Sequence, residues 1–567
     1  MLNWLAQRLK AKPSRSARHK VRGDALLDRG AWLDAADSYR QALQDDPRNA
    51  AACNNLALAL ARAGRREAAQ HAAQHALQLE PRSINSLYLL ATLAHEQGEL
   101  DQACIYARQA VDIDPGFAAG WSFLGNGLRE QGKAALSVAA YRKALALNEK
   151  DAVTHSNLLM ALQAEGSLTQ AELFAEHKRY AQQFEPAQAH TGLDSHAPAL
   201  ASTSARLKIG YVSADFRRHA VAHFMIPVLE HHDKSAFDIH CYYNDDGGDE
   251  LTQRFAELAD HFTPCAGMSD DELEARIRTD GIDVLVDLSG HTAGNRLPLF
   301  ARKIAPVQVT WLGYIDTTGL TAMDYRLTNA DADPPENDAF CSERLHRMPG
   351  LWWAFRPVAN LPDVIPLPAQ ANGHITFCST NQVAKITPAM IAAWAAILRQ
   401  VAGSRLAIMG IPGGETEQHL AAQFTAHGIA CERLIFHRFT TLDAFRATLA
   451  GADIALDTFP YNGGTTTCET LWQGLPCVTR KGQAFVSRMG YALLKEIGLI
   501  ELAADSLDDY VAIAVALARD RPRLRQMRLD MRERLQASSL GDEAGFTRRL
   551  EAAYRDMLAA ASQGAAA

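Results

Sequence analysis

The segment ALDTFPYNGGTTTCETLWQGLPCVTRKG, residues 455–482, concentrates residue types that hold anions. An apolar run ends near Asp457, Asn462-Gly463-Gly464 supplies a flexible turn, and Thr465-Thr466-Thr467 opens a helix. The free backbone N–H groups of a helix start, with the positive end of its dipole, attract phosphate oxygens. The three hydroxyls add donors, and Glu469, one turn further in, can accept from ribose hydroxyls. A plainer reading stands beside this one: Thr466 and Glu469 have the spacing of a capping box, which would merely start the helix. A second segment, HITFCSTNQVAKITP at 374–388, reads as a strand, a polar turn with Gln382, then Lys385 beside a helix start. Its ammonium is a point charge suited to a leaving phosphate. A third, IGYVSADFRRHAVAHFM at 209–225, places His219 and His223 four residues apart after a strand end. Ala220-Val221-Ala222 between them lacks the glutamate of a zinc-helix motif, so no metal is expected there. A lone histidine is more often structural, but His219, directly after the strand-end turn, faces the expected cleft. Asp331-Ala332-Asp333 has the D-x-D form of a metal site, yet acidic residues before Pro334-Pro335 are ordinary turn formers.

These segments need a scaffold that brings three strand ends together. Strands are expected at 207–213, 237–243, 283–289, 307–314 and 324–329, and again at 374–379, 405–410, 433–438, 452–458 and 476–480. Helical patterns separate most of them, notably 390–401 and 466–474. Strands alternating with helices imply parallel sheets. Two such series, split near the proline-rich stretch 357–370, imply two Rossmann-like lobes with ligands at the carboxyl ends of their strands. The G-x-G-x-x-G fingerprint of dinucleotide dehydrogenases is absent from the sequence. The pattern suits the GT-B class of glycosyltransferases, with the site in the cleft between lobes.

The first third is periodic. Gly30, Gly64, Gly98, Gly132 and Gly166 recur every 34 residues, as do Pro47, Pro81 and Pro115. Ala35, Ala69, Ala103, Ser137 and Ala171 keep the register, as do Ala42, Ala76, Ala110 and Ala144. A glycine ends the first helix of each unit, small residues let the paired helices approach, and proline closes the second. Leu56, Leu90, Leu124 and Leu158 supply an apolar face. This pattern looks like the tetratricopeptide repeat, about four and a half to five copies from Gly23 to Ala181. Such arrays form an α-solenoid whose groove holds extended peptide or a partner protein. An alternative use is as a packing or homodimerisation surface.

The net charge of −8 lacks the basic footprint of a general nucleic-acid binder. Nine cysteines without a C-x-x-C pair disfavour a disulfide framework and a structural zinc site, and fit a reducing cytoplasm. Gln7, Arg8 and Lys10 interrupt the N-terminal apolar residues, against a signal peptide, and no run suits a membrane span.

Behind the repeats, GYVSADFRRH, DGIDVLVDLSGHT, PVQVTWLGYIDTTG, MDYRLTN, the NQ-xx-KI turn and NGGTTTCETLWQGLPCVT occur in that order. Together they resemble the O-linked N-acetylglucosamine transferases, glycosyltransferase family 41, which also holds SPINDLY-like protein O-fucosyltransferases. The resemblance covers nearly the whole chain. It implies an inverting, metal-independent enzyme that needs no cofactor and moves N-acetylglucosamine from UDP-N-acetylglucosamine to Ser or Thr hydroxyls of proteins. By that resemblance Lys385 contacts the donor phosphates and Gln382 lies near the diphosphate. Gly464, Thr465 and Thr466 form the phosphate-binding helix start, Glu469 meets the ribose, and His219 matches a histidine proposed as base. Gly464 and Phe445 replace histidines of animal members, which keeps GDP-fucose open as the alternative donor. A repeat scaffold with an inactive transferase region is the non-enzymatic alternative. The expected organisation is a basic lead-in (1–22), repeats (23–184), linker (185–204), first lobe (205–360), nucleotide-sugar lobe (361–540), and a C-terminal helix with tail (541–567).

Overall fold

The protein is described here by a computed structural model covering residues 14–186, 206–357, 363–438 and 442–564. Residues 1–13 of the lead-in, nearly all of the 185–204 linker and part of the 357–370 stretch lie outside the described residues.

A first compact unit ends at Glu149. It contains four antiparallel helix pairs: α1 (Arg15–Leu27) with α2 (Trp32–Asp45), α3 (Ala50–Arg62) with α4 (Arg66–Leu79), α5 (Ile84–Glu96) with α6 (Leu100–Ile113), and α7 (Ala118–Glu130) with α8 (Ala134–Leu147). A fifth pair, α9 (Ala152–Glu165) and α10 (Gln170–Phe184), belongs to the second unit, Lys150–Ala567. All five period-marking glycines have φ between +72° and +77°, the left-handed region in which a side chain is strained. The tracks at 35 and 42 and the leucine track are buried as their spacing predicts, except for Ala171, which is exposed.

Among the described residues the first helix begins at Arg15 and contains Gly23. Gly23 is also a close contact: a Cβ there would lie 2.6 Å from the Tyr39 ring. The same register holds Gly125, whose Cβ would lie 2.6 Å from the Tyr141 ring. The intervening repeats place fully buried Ala57 and Ala91 at the glycine position, and Ala73 and Ala107 at the tyrosine position. Glycine goes with tyrosine and alanine with alanine, so the pair volume is balanced within each repeat.

The second unit holds two parallel sheets. The first runs β3-β2-β1-β4-β5-β6-β7, with β1 (Leu207–Ser213), β2 (Phe237–Tyr243), β3 (His261–Pro264), β4 (Val284–Asp287), β5 (Val307–Thr310), β6 (Tyr325–Thr328) and β7 (Arg344–Arg347). The second runs β10-β9-β8-β11-β12-β13, with β8 (Thr376–Ser379), β9 (Arg405–Ile411), β10 (Leu434–Arg438), β11 (Ile454–Leu456), β12 (Cys477–Arg480) and β13 (Ala503–Ala504). These are the two Rossmann-like lobes of the GT-B fold. Strand order reverses between β1 and β4 and between β8 and β11, the positions where such sheets open a crevice at their carboxyl ends.

Three tertiary contacts lock this unit. The terminal helix Glu543–Gly564 returns to the first lobe, where Glu551 bonds His232 at 2.9 Å and Tyr554 meets Tyr211 at 3.2 Å. Arg356 joins Glu230 at 2.6 Å and also pairs with Glu543. The pair α9/α10 docks on the ends of β4 and β5 through Ser156–His291 at 2.9 Å, His177–Tyr314 at 2.7 Å and Gln163–Asp316 at 3.0 Å. The turn after α9 meets the other lobe too: a Cβ on Gly166 would lie 2.5 Å from Pro460. The fifth helix pair therefore touches both lobes.

Gly125→Ala is expected to destabilise the repeat unit by about 1–3 kcal/mol through overpacking. Adding Tyr141→Ala, which recreates the Ala57/Ala73 pair, should cost less than the sum of the single changes. Urea unfolding of all four proteins measures this coupling.

Candidate functional site

A cavity of about 370 Å³ lies at the carboxyl ends of β8, β9 and β10. That is within the range of small-molecule sites. Thr380, Asn381 and Gln382 line it after β8, Met409 and Gly410 near the end of β9, and His437 and Arg438 at the end of β10. Phe445 and Thr448 close one side from the helix Leu442–Ala450, and Thr466 and Glu469 another from the helix Thr465–Trp472.

The helix Thr465–Trp472 begins after Gly464, and no side chain caps it. The capping-box reading therefore does not hold. Thr466 is already inside the helix, and its hydroxyl donates to Asn381 Oδ1 at 3.3 Å, while Glu469 faces the cavity. The turn before it is drawn tight by Asp457, just past the end of β11. This buried carboxylate accepts from the backbone N–H groups of Gly463 at 2.8 Å and Thr458 at 2.9 Å, from Thr479 Oγ1 at 2.7 Å and from Asn381 Nδ2 at 3.0 Å. A Cβ at 463 would lie 2.5 Å from Thr467 Oγ1 and 2.7 Å from Thr466 Oγ1, so any larger residue would displace these hydroxyls.

Lys385 stands beside the cavity rather than in its wall. Its Nζ donates to the Asn462 carbonyl at 3.1 Å and sits 3.8 Å from the centre of the Tyr461 ring. Burial pulls the ammonium down to about 8, opposed by the Asp457 carboxylate. Lys385 is thus a cation held against the same turn that the uncapped helix start follows. Gln382, Thr466 and Glu469 converge on one cavity, with Gly464 and Thr465 at the helix start above it.

On the first lobe, His219 lies in the turn before the helix Ala222–His231. Its Nδ1 is 3.5 Å from Asp215 Oδ2. Burial lowers the imidazole pKa, with Asp215 opposing, so the ring is neutral near pH 7 and able to take a proton. His223 is the residue that reaches across. Its ring stacks on Phe355 with centroids 5.4 Å apart, Nε2 lies 3.6 Å from Glu469 Oε1, and burial pushes it down to about 4. Burial also raises the Glu469 carboxyl, against the opposing pull of Arg446.

The D-x-D segment is used for packing. Asp331 pairs with Lys495 at 2.5 Å, and Asp333 is buried against Arg326 at 3.0 Å and Thr328 Oγ1 at 2.6 Å. Sequence reading did not single out Asn381, Met409, His437, Arg438 or Thr448. All but Thr448 lie at or near a strand's carboxyl end, the signal that could have found them.

The model of glycosyl transferase family 41 matches residues 186–355 and 364–550, and two tetratricopeptide-repeat models match 23–64 and 54–116. A Solanum lycopersicum protein named probable UDP-N-acetylglucosamine–peptide N-acetylglucosaminyltransferase SPINDLY is 39% identical over 362 residues, 62% of this chain and 38% of that protein. The Arabidopsis thaliana protein bearing the same enzyme name with the designation SEC is 30% identical over 362 residues, 62% of this chain and 37% of that protein. The chain spans less than half the length of these curated relatives. The solved structure of a Thermobaculum terrenum O-GlcNAc transferase mutant matches with a TM-score of 0.84 at 35% identity, covering 91% of this chain and 98% of that one.

A pyrophosphate-bearing ligand should bind less tightly as pH rises through about 8, because Lys385 loses its positive charge there. Isothermal titration at pH 6.5 to 9.5 tests this, and Lys385→Met should flatten the profile.

Proposed function

The chain belongs to glycosyltransferase family 41, and from that premise we propose that it transfers N-acetylglucosamine from UDP-N-acetylglucosamine to Ser or Thr hydroxyls of proteins. One observation carries the reading. Gln382, Thr466 and Glu469 line a cavity at the β8/β11 strand reversal, beneath an uncapped helix start and beside the Lys385 cation. That combination suits a nucleoside diphosphate. The phosphates take the helix start and Lys385, the ribose takes Glu469, and the base takes the wall of Met409, His437 and Phe445.

In this reaction the acceptor oxygen bonds to the anomeric carbon as the bond from that carbon to the phosphate oxygen breaks, inverting the centre. The hydroxyl proton passes to His219, whose other ring nitrogen faces Asp215. Negative charge grows on the departing diphosphate, where Lys385 and the N–H groups at Gly464–Thr466 are fixed in advance. No metal is needed to neutralise it. The acceptor is a protein or peptide held by the repeats, and α9 and α10, which contact both lobes, border its approach.

A second reading, GDP-fucose as donor, is favoured by one feature: Phe445 lines the cavity at the position expected to cover the base.

Incubation of the full chain and protein acceptors with labelled UDP-N-acetylglucosamine or GDP-fucose, followed by mass spectrometry, separates the two. We expect hexosamine addition from the uridine donor. Lys385→Ala should lower kcat by about 10²–10³, and His219→Ala by about 10²–10⁴. Near-normal turnover of Lys385→Ala would overturn the phosphate assignment.

A further inference from the structure

Among the described residues one group of metal-ligating side chains lies outside the cleft: Asp238 and His240 on β2, and His261 on β3. Asp238 and His240 are two apart on a strand and share a face. The parallel register sets His261 directly beside His240, and their rings stack with centroids 4.2 Å apart. His261 Nε2 is 3.5 Å from Asp238 Oδ1, and His240 Nε2 is 3.7 Å from Asp238 Oδ2. Two donors on one tetrahedral zinc, with bonds of about 2.0–2.2 Å, stand about 3.3–3.6 Å apart. The spacing is nearly that of a coordination sphere.

The burial makes this more than a surface cluster. His240 is only 4% exposed, yet neither ring nitrogen has a hydrogen-bond partner, and Asp238 Oδ1 has none either. Buried polar atoms without partners are costly and rare. A cation between the three side chains would satisfy His240 Nε2 and Asp238 together. Asp280 Oδ2 lies 3.9 Å from the other nitrogen of His240 and is held by Arg276 at 2.8 Å and Tyr242 at 2.8 Å. A fixed carboxylate behind a ligating histidine is the usual outer support of such a site. Of two nearby cations, Arg206 stands 3.5 Å from Asp238 Oδ1, too far for a hydrogen bond, while it donates to the Phe237 carbonyl and Asp260, and Lys208 donates to the Asp280 carbonyl.

We propose that Asp238, His240 and His261 bind one divalent zinc-type ion, with water completing its coordination. The ion clips the short edge strand β3 to β2. Asp238 and His261 lie toward the amino-terminal ends of their strands, away from the carboxyl ends that form the cleft, so the ion is structural and takes no part in transfer.

The full chain, stripped with a chelator, is titrated with Zn²⁺ by calorimetry and with Co²⁺ under visible spectroscopy. One tight equivalent, a raised Tm and Co²⁺ d–d bands of low-coordinate type are expected. His261→Ala, a change at a half-exposed side chain, should weaken Zn²⁺ at least about 100-fold and abolish the bands and the Tm rise. Asp238→Asn should do the same. The proposal is overturned if the wild type takes up no ion, or if both variants bind Zn²⁺ as it does.

Discussion

The buried carboxylate of Asp457 is the constraint on which the candidate site depends. It gathers a backbone N–H from each end of the turn 458–463, a hydroxyl from β12 and an amide from the loop after β8. Burial raises its pKa, and the donors Thr479, Gly463 and Thr458 only oppose that rise. The positive charge of Lys385 opposes it too. Removing the carboxylate would free the turn, the helix start above it and the lysine at once. The first lobe repeats the device. Asp287, ending β4, accepts from the N–H groups of Ser289 at 3.1 Å and Gly290 at 2.8 Å and from Thr310 Oγ1 at 2.9 Å. In both sheets the aspartate stands next to the strand reversal, at or just past the end of the strand that opens the crevice, with a threonine of the following strand as donor.

What these two knots hold differs. After Asp457 the chain turns into a short helix whose start faces a cavity. After Asp287 it runs to His291, which binds α9 and α10 through Ser156 and the ring contact with Tyr180. The last repeat is thus mortised into the first lobe by buried histidines. These polar, directional contacts are added to a hydrophobic cluster in which Leu159, Tyr180 and Ala181 pack with Leu285, Leu297 and Leu320. Polar contacts of this kind fix one orientation, because a misplaced helix would leave His177 and His291 buried without partners.

Much of this was legible in the chain. The 34-residue glycine spacing gave the repeats because a left-handed residue ends the first helix of every pair. The nine inner strands and the edge strand β10 were visible as apolar runs, which inner strands carry because they are covered on both faces. The other edge strands, β3, β7 and β13, were not, because they are short and β3 and β7 are partly exposed, so they carry no continuous apolar run. Several expected strands ran past their ladders, as at 283–289 and 452–458. The surplus residues, Ser289, Asp457 and Thr458 among them, have left the sheet to shape the strand-end turns.

Residue type and spacing by themselves determined the repeat array, the two parallel lobes, and the candidacy of Gln382, Lys385, Thr466 and Glu469. They could not decide between a cap and a cavity wall for Thr466 and Glu469, since both uses have the same spacing. That was settled by Gly464 standing at the helix start and by Asn381, 85 residues earlier, accepting from Thr466. Nor could they show that His223 rather than His219 reaches Glu469, or that His261 lies beside His240. Those pairings join residues far apart in the chain, and only the closing of two sheets and the packing of a helix between them brings such groups within bonding distance.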